Sequence, residues 1–207
     1  MPVYFNPSFM KKISLTLALL AGLTGAARAQ RSDVSLGLKA GASYSAFTGK
    51  QAYNPEYIFG FHIGAFANIG LSDLFAFQPE ILYSQKGSNP NLVDFKTRLN
   101  YVDLPLAFHV NANGLFFEAG PQVGLLLAAQ DKAGNVSVDR KNRYNTFDLG
   151  YLAGLGYQRK TGPGIGLRYN GGFTNLEKPS TIGSVTVQNN VRNGVFQLYL
   201  TYSFNGR

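Results

Sequence analysis

Residues 57–71 read YIFGFHIGAFANIGL, and apolar side chains occupy every odd position of this stretch, while the even positions are mostly small or polar. Successive side chains of an extended strand point to opposite faces, so a period of two predicts a β-strand with one apolar face. The opposite face is predicted to be crowded and polar. Because a single strand cannot cover such an apolar face, the question becomes how often the pattern recurs.

The same alternation recurs in eight runs along the chain. The runs are Val34 to Phe47, Tyr57 to Leu71, Leu74 to Lys86, Thr97 to Val110, Leu115 to Ala129, Phe147 to Arg159, Gly164 to Leu176, and Gly194 to Phe204. An even number of antiparallel strands can close into an up-and-down barrel, which leaves no free sheet edge. The pattern therefore predicts an all-β chain.

The connections between the runs fall into two alternating classes. Three are short and rich in turn residues, namely Ser72-Asp73, Asn111 to Gly114, and Lys160 to Pro163. Four are longer and polar, namely Thr48 to Glu56, Gly87 to Lys96, Gln130 to Thr146, and Glu177 to Asn193. Short turns at one end and long loops at the other are typical of outer-membrane barrels, whose turns are periplasmic and whose long loops are external.

The volume of the barrel decides which face points inward. Eight strands enclose a space just wide enough for side chains, yet eleven aromatic residues share the apolar face: Tyr57, Phe59, Phe61, Phe75, Phe77, Tyr83, Phe117, Phe147, Tyr151, Tyr157 and Tyr169. We therefore expect them to face lipid and the glycine-rich face to line the interior. The sequence predicts an eight-stranded antiparallel transmembrane up-and-down β-barrel in the cell outer membrane.

The N-terminus carries the features of an export signal. Met10-Lys11-Lys12 precedes an apolar stretch from Ile13 to Leu23, and Ala27-Arg28-Ala29 resembles a signal-peptidase site. We predict a signal peptide over residues 1–29, with Met10 as an alternative start of translation, and a barrel domain over residues 30–207.

Composition limits the classes of partner and cofactor. The net charge is +8, but three of the cations leave with the predicted leader, and an exported chain is not expected to bind nucleic acid. The chain has no cysteine, so disulfides and thiolate metal sites are excluded. No cofactor-binding motif is present, and none is predicted.

The inward face collects almost every charge of the strands together with both histidines: Lys39, Glu80, Lys86, Asp103, Glu118, Asp148, Arg168, His62 and His109. Charges in a narrow lumen must be paired. We expect the lower and middle members to form a salt-bridged plug, and the predicted lumen charge network is Lys39, His62, Glu80, Asp103, Glu118 and Arg168.

The same inward residues raise the question of catalysis. His62 could exchange protons with Asp103 and gate the lumen, and a carboxylate beside a histidine also suits an enzyme. However, His109 lies near the periplasmic turn, away from the external rim where barrel enzymes work. Two histidines without cysteine form a poor metal set. We therefore expect packed or hydrogen-bonded histidines, with no catalytic, cofactor-binding or metal residues.

Two exposed segments suggest partners. The loop from Gln130 to Thr146 is either solvated or in contact with lipopolysaccharide phosphates, through Lys132, Arg140, Lys141 and Arg143 set against Asp131 and Asp139. Tyr202-Ser203-Phe204 places an aromatic residue near the end of the last run, a signal of the kind that barrel-assembly machinery recognises. Outer-membrane lipid and this machinery are the predicted partners.

Six short motifs carry a family resemblance: Leu36-Gly37-Leu38-Lys39-Ala40-Gly41, Phe61-His62-Ile63-Gly64-Ala65-Phe66, residues 78–87 (QPEILYSQKG), Tyr101-Val102-Asp103-Leu104-Pro105-Leu106, Glu118-Ala119-Gly120-Pro121, and Gly166-Leu167-Arg168-Tyr169-Asn170. Together they resemble the PorT-like outer-membrane β-barrel proteins common in Bacteroidota. The resemblance implies an OmpA-like small barrel. It also implies secretion-system proteins as candidate partners, because the named member helps to assemble a secretion system.

Three functions are compatible with the sequence. The first is a non-enzymatic barrel with a charge-plugged lumen and a structural or assembly and secretion-related role. The alternatives are a narrow channel for small solutes and an enzyme at the outer rim. The small strand number disfavours the channel, because wide aqueous pores need about sixteen strands.

Overall fold

The computed structural model describes residues 34–52, 55–90, 95–134, 136–182 and 185–204. The predicted signal peptide at residues 1–29 lies outside the described residues, so it stays a prediction. Within the described residues, no helix is long and apolar enough to cross a membrane.

Eight long strands form the main sheet. They are β1 (Val34–Thr48), β2 (Ile58–Gly70), β3 (Phe75–Pro90), β4 (Phe95–Ala112), β5 (Leu115–Ala133), β6 (Phe147–Gln158), β7 (Gly162–Gly172) and β8 (Arg192–Ser203). Shorter elements lie in the long loops: strands Pro55–Glu56, Val136–Asp139, Ser180–Ile182 and Val185–Val187, and the 3₁₀ turn Lys141–Arg143.

Each long strand pairs antiparallel with its neighbours in the chain, and β1 pairs with β8. Lys39 on β1, for example, lies opposite Thr201 on β8 and Gly64 on β2. The β3–β4 pairing closes the ring at the other side of the sheet order. Closure satisfies the backbone donors and acceptors of every long strand within the barrel, which a lipid environment requires. The predicted closed, eight-stranded antiparallel barrel is confirmed.

The three predicted tight turns are present at one end of the barrel. Between β4 and β5 the chain reverses at Asn113 and Gly114, with φ of 52° and 91°. Two consecutive positive φ values characterise the Asn-Gly turn that suits the twist of a hairpin. Between β2 and β3, the Ser72 hydroxyl oxygen accepts a 3.0 Å hydrogen bond from the Phe75 N–H.

The long loops differ from the prediction in extent. The connection predicted over Gly87 to Lys96 is largely strand, because β3 continues to Pro90 and β4 begins at Phe95. The seventh run was predicted to reach Leu176, which is wrong, because β7 ends at Gly172. Beyond it, the Thr174 hydroxyl oxygen accepts a 2.9 Å bond from the Leu149 N–H. This side chain thus takes the place of the next backbone partner in the ladder.

The two faces of the barrel are as the alternation predicts. Large apolar side chains cover the outside, where Phe59 and Leu200 are 71% and 63% exposed. Lys39, Glu80 and Arg168 on the inner face are buried. A monomeric protein in water rarely exposes such a continuous apolar surface, whereas a membrane barrel presents it to lipid.

The external rim is uneven. Strands β3, β4 and β5 have 16, 18 and 19 residues, whereas β6, β7 and β8 have 12, 11 and 12. A strand rises roughly 3.3 Å per residue, and the additional residues of β3 to β5 lie at the long-loop end. We call β3 to β5 the tall side and β6 to β8 the short side.

Candidate functional site

Four charged residues from alternate strands meet in the lumen. Lys39 lies on β1, Glu80 on β3, Glu118 on β5 and Arg168 on β7. Each occupies an inward position of its strand, and each is no more than 4% exposed. We call these four residues the central cluster.

Arg168 is the hub of the central cluster. Its Nη1 and Nη2 donate to Glu80 Oε2 and Oε1 at 2.9 and 2.8 Å, while its Nε and Nη2 donate to Glu118 Oε1 and Oε2 at 2.8 and 2.5 Å. Lys39 Nζ donates to Glu80 Oε1 at 2.5 Å. Two cations thus neutralise two carboxylates. The planar guanidinium is suited to binding two carboxylates in this bidentate way.

A tyrosine and a glycine complete the packing. The Tyr199 hydroxyl donates to Glu118 Oε1 at 2.7 Å, and its ring lies 4.1 Å from Lys39 Nζ. Such a cation over an aromatic face is stabilised electrostatically. Gly154 pairs with both Glu118 and Arg168, and a Cβ on it would lie 2.7 Å from Glu118 Oε1. Glycine at this position therefore leaves room for the ion pair.

Polar side chains extend the cluster toward the short turns. Gln78 Nε2 donates to Glu80 Oε1 at 2.8 Å, and Asn68 Nδ2 donates to Gln78 Oε1 at 2.8 Å. His109 Nε2 lies 3.3 Å from Glu118 Oε2. The buried carboxylates are thus surrounded by donors, which offsets the cost of removing them from water.

Asp103 does not join the central cluster, so that part of the predicted plug is wrong. Its Oδ1 instead accepts a 2.9 Å bond from Lys86 Nζ, and both side chains are buried. Asp103 lies opposite Leu82 on β3, four positions before Lys86. The tilt of barrel strands displaces neighbouring positions along the axis, so Lys86 lies near Asp103 despite this separation.

The histidines do not form a catalytic arrangement with the lumenal acids. His62 Nδ1 lies 3.1 Å from the Ser43 hydroxyl, and its ring packs edge-on against Tyr199. In the described part of the chain no contact joins His62 to Asp103, so the proton exchange considered from the sequence has no geometric support. His109 stacks on Phe116 at 4.7 Å. Among the described residues no group of three His, Asp or Glu side chains is placed to hold a metal ion.

A second set of polar residues lies toward the long loops. Asp148 accepts a 2.7 Å bond from Asn193 Nδ2 and a 3.0 Å bond from the Thr174 hydroxyl, but no cation lies within ion-pair distance among the described residues. Asn170, two positions beyond Arg168, is 4% exposed, and neither amide atom has a partner in the described structure. We call Lys86, Asp103, Asp148, Asn170 and Asn193 the upper layer.

Sequence reasoning missed three contributors to this site. Tyr199 is an aromatic residue at an inward position, which the alternation of the eighth run already indicated. Lys86 was placed inside but not paired with Asp103, because strand tilt is not visible in a one-dimensional pattern. Gln78 is inward and polar, but nothing in its spacing from Glu80 distinguishes it from other inward residues.

Comparisons with known proteins agree with this architecture. The crystal structure of Neisserial surface protein A (NspA) matches with a TM-score of 0.52 at 18% identity, covering 83% of this chain and 99% of that one. The attachment invasion locus protein Ail of Yersinia pestis matches with a TM-score of 0.47 at 16% identity, covering 82% and 98%. None of the curated proteins matches the chain in sequence. Residues 27–178 match the family described as the outer membrane protein beta-barrel domain, and the chain therefore belongs to this family.

Proposed function

We propose that the chain is a non-conducting scaffold of the outer membrane with a structural or assembly and secretion-related role, rather than a pore or an enzyme. The central cluster carries this proposal. Arg168 bonds to carboxylates from two other strands and lies across the lumen between them. A hydrated ion would have to separate these pairs in order to pass.

Separating the pairs is costly because the partners are buried. Breaking a buried ion pair by removing one partner destabilises a protein by about 3–5 kcal/mol, since an uncompensated charge remains. Wide aqueous channels instead belong to barrels of about sixteen or more strands. The narrow lumen and its ion pairs both disfavour diffusion of solutes.

Conductance recordings in planar bilayers test whether the central cluster closes the lumen to ions. We expect purified, folded chain to give no stable single-channel steps under conditions in which a sixteen-stranded porin, reconstituted in parallel, conducts. Large and stable steps from the chain would overturn the proposal.

One observation favours the narrow channel as a second candidate. The upper layer contains the unpartnered amide of Asn170, so polar groups continue above the central cluster. Swelling of liposomes in small sugars distinguishes the candidates, because a narrow channel predicts swelling with the smallest sugar only. A scaffold predicts the same response as empty liposomes. No contact of His62 or His109 supports the third candidate, an enzyme at the rim.

The resemblance to PorT-like proteins of Bacteroidota supports a role in secretion-complex assembly. The outward Phe204, 53% exposed directly after β8, supports recognition by barrel-assembly machinery. A pull-down of tagged chain from native outer membranes tests both partners, with another tagged eight-stranded barrel as the control. Enrichment of secretion proteins over this control supports the role, and equal recovery contradicts it.

A further inference from the structure

A cleft of about 460 Å³ opens at the long-loop end of the short side. Aromatic side chains from β6 and β7 and residues of two long loops line it. The residues that matter to its chemistry are Tyr151, Tyr169, Phe173, Lys50, Asn190 and Arg192. The cleft lies outside the central cluster, and the proposed scaffold function makes no use of it.

The floor of the cleft is aromatic. The ring of Tyr151 packs 5.1 Å from Phe173 and 6.3 Å from Tyr169, measured between centroids. A Cβ on Gly171 would lie 2.5 Å from the Tyr151 ring, so only glycine lets this ring lie so close to the backbone of β7. Amphipathic aromatic rings are enriched where a barrel meets the membrane–water boundary. An aromatic floor at this end of the barrel suits the level of lipid headgroups.

Two cations stand at the rim of the cleft. Arg192 Nε donates to Asn190 Oδ1 at 3.1 Å, and the Asn190 N–H donates to Gln51 Oε1 at 2.9 Å. These bonds connect the loop that follows β1 to the segment that precedes β8. The guanidinium of Arg192 is thus held by loop contacts, and Lys50 lines the same cleft.

Among the described residues, Lys50 and Arg192 differ from the two arginines of the loop at Gln130 to Thr146 in having no carboxylate partner. There, Arg140 lies 3.5 Å from Asp131 and Arg143 lies 3.0 Å from Glu177, so both charges are already paired. Within the described residues no carboxylate lies within ion-pair distance of Lys50 or Arg192. At this cleft, positive charge without a carboxylate partner in the described structure therefore lies next to aromatic rings, whereas the two arginines of the Gln130 to Thr146 loop bind carboxylates.

We propose that the cleft binds a phosphorylated glycolipid of the outer leaflet, the lipid A part of lipopolysaccharide. Lys50 and Arg192 bind its phosphate, for which Arg offers planar charge-assisted donors. A sugar ring packs on the aromatic floor, and the acyl chains continue down the apolar outer wall. Positive charge, aromatic faces and amide groups together suit a phosphorylated amino sugar better than a simple phospholipid headgroup.

Binding of defined lipids to the folded full chain tests this assignment. The charge variant is Lys50→Gln with Arg192→Gln. Its matched control is Arg159→Gln with Lys160→Gln, which removes the same charge from exposed positions at the short-turn end. We expect the charge variant to bind lipid A roughly ten- to hundredfold more weakly, since hydrogen bonds to charged groups are lost. The control should bind as the unaltered chain does, and equal weakening in both would overturn the site.

A second pair of variants tests the aromatic floor. Tyr169→Leu removes a ring of the cleft, and Tyr157→Leu removes an outward ring near the opposite end of the barrel. Only the first should weaken binding of lipid A. Equal effects would overturn the role of the floor.

The choice of probe distinguishes the sources of phosphate. Lipid A should bind, while dephosphorylated lipid A, phosphatidylglycerol vesicles and inorganic phosphate should bind at least about tenfold more weakly. Phosphatidylglycerol binding as tight as lipid A would overturn the glycolipid assignment. Lipid binding is measured independently of conductance. The binding results can therefore contradict the glycolipid site without contradicting the closed lumen, and conductance can contradict the closed lumen without contradicting the site.

Discussion

The central cluster and the upper layer occupy the same lumen but differ in how completely their charges are paired. In the central cluster, Lys39 and Arg168 neutralise Glu80 and Glu118 at distances of 2.5 to 2.9 Å. In the upper layer, Lys86 pairs with Asp103, whereas Asp148 has no cation within ion-pair distance and the amide of Asn170 has no partner among the described residues. The middle of the barrel is therefore electrostatically complete, whereas the end near the loops keeps unmet polar capacity. The comparison predicts that stability depends on the first region more than on the second.

The largest effect should follow from removing the hub of the central cluster. Arg168→Met leaves the Glu80 and Glu118 carboxylates buried, with only Lys39 to balance them. We expect a loss of about 3–5 kcal/mol in the free energy of unfolding. Urea titration of the chain in lipid or detergent measures it. Adding Glu80→Gln and Glu118→Gln to Arg168→Met should recover part of the loss, and an unchanged unfolding midpoint in the single variant would contradict the central role of Arg168.

A smaller loss of stability should follow from crowding the ion pair between Glu118 and Arg168. Gly154→Ala places a Cβ 2.7 Å from Glu118 Oε1 and 2.6 Å from the Leu167 carbonyl oxygen. Overpacking of this kind costs typically about 1–3 kcal/mol. The matched variant Gly172→Ala in the neighbourhood of the upper layer meets its nearest atom at 3.2 Å and should cost less. Equal unfolding midpoints for the two variants would show that the central cluster is not packed more tightly.

Neutralising a carboxylate of the upper layer should have little effect. Asp148→Asn removes a buried charge that no cation balances in the described structure. The new amide oxygen can accept from the Thr174 hydroxyl, and its N–H can donate to Asn193 Oδ1 once that side-chain amide turns over. We expect the free energy of unfolding to change by less than about 1 kcal/mol in either direction, as is usual when no paired charge is broken. Glu118→Gln, compared by the same urea titration, should cost more. A larger loss of stability in Asp148→Asn than in Glu118→Gln would show that the upper layer contributes more to stability than the central cluster does.

An effect confined to alkaline pH concerns the loop beyond the upper layer. Burial, reinforced by Asp131 and Glu177, raises the pKa of Tyr144 from 10.0 to about 12. Between these values the unfolded chain loses this proton while the folded chain keeps it. Stability should therefore fall as the pH rises through this range. The ultraviolet titration curve of Tyr144→Phe should lack one tyrosine that ionises near pH 12 in the unaltered folded chain, and identical titration curves would contradict the assignment.

The barrel itself could be predicted from the sequence because its signal is periodic. The period of two assigns each strand residue to a face, and it places Lys39, Glu118 and Arg168 inside, where the structure has them. The period contains no information about displacement between strands, so it could not show that Asp103 meets Lys86 rather than the central cluster. The additional length of β3 and β5 was missed for a related reason. Polar residues there resemble a loop, although an inward member such as Asp131 accepts a 2.8 Å hydrogen bond across strands from the Thr97 hydroxyl.

The external cleft could not be predicted from the sequence, because three separate segments of the chain form it. Lys50 and Arg192 are 142 positions apart in the chain, and only closure of β1 against β8 brings their loops together. The sequence instead drew attention to the loop with the densest run of cations. Two of those cations proved to be paired, since Arg140 binds Asp131 and Arg143 binds Glu177.

The origin of the central cluster in alternate strands has a consequence for the order of biogenesis. Lys39, Glu80 and Glu118 belong to β1, β3 and β5, so in a hairpin array that ends with β6 the central cluster would carry one negative charge in excess. Arg168 arrives only with β7, and Tyr199 only with β8, the strand that closes the ring against β1. A truncated or stalled chain that lacks β7 thus has an unbalanced carboxylate in its central cluster while it is still in contact with lipid. Neutralisation of the central cluster by β7 is thus followed directly by closure of the wall by β8.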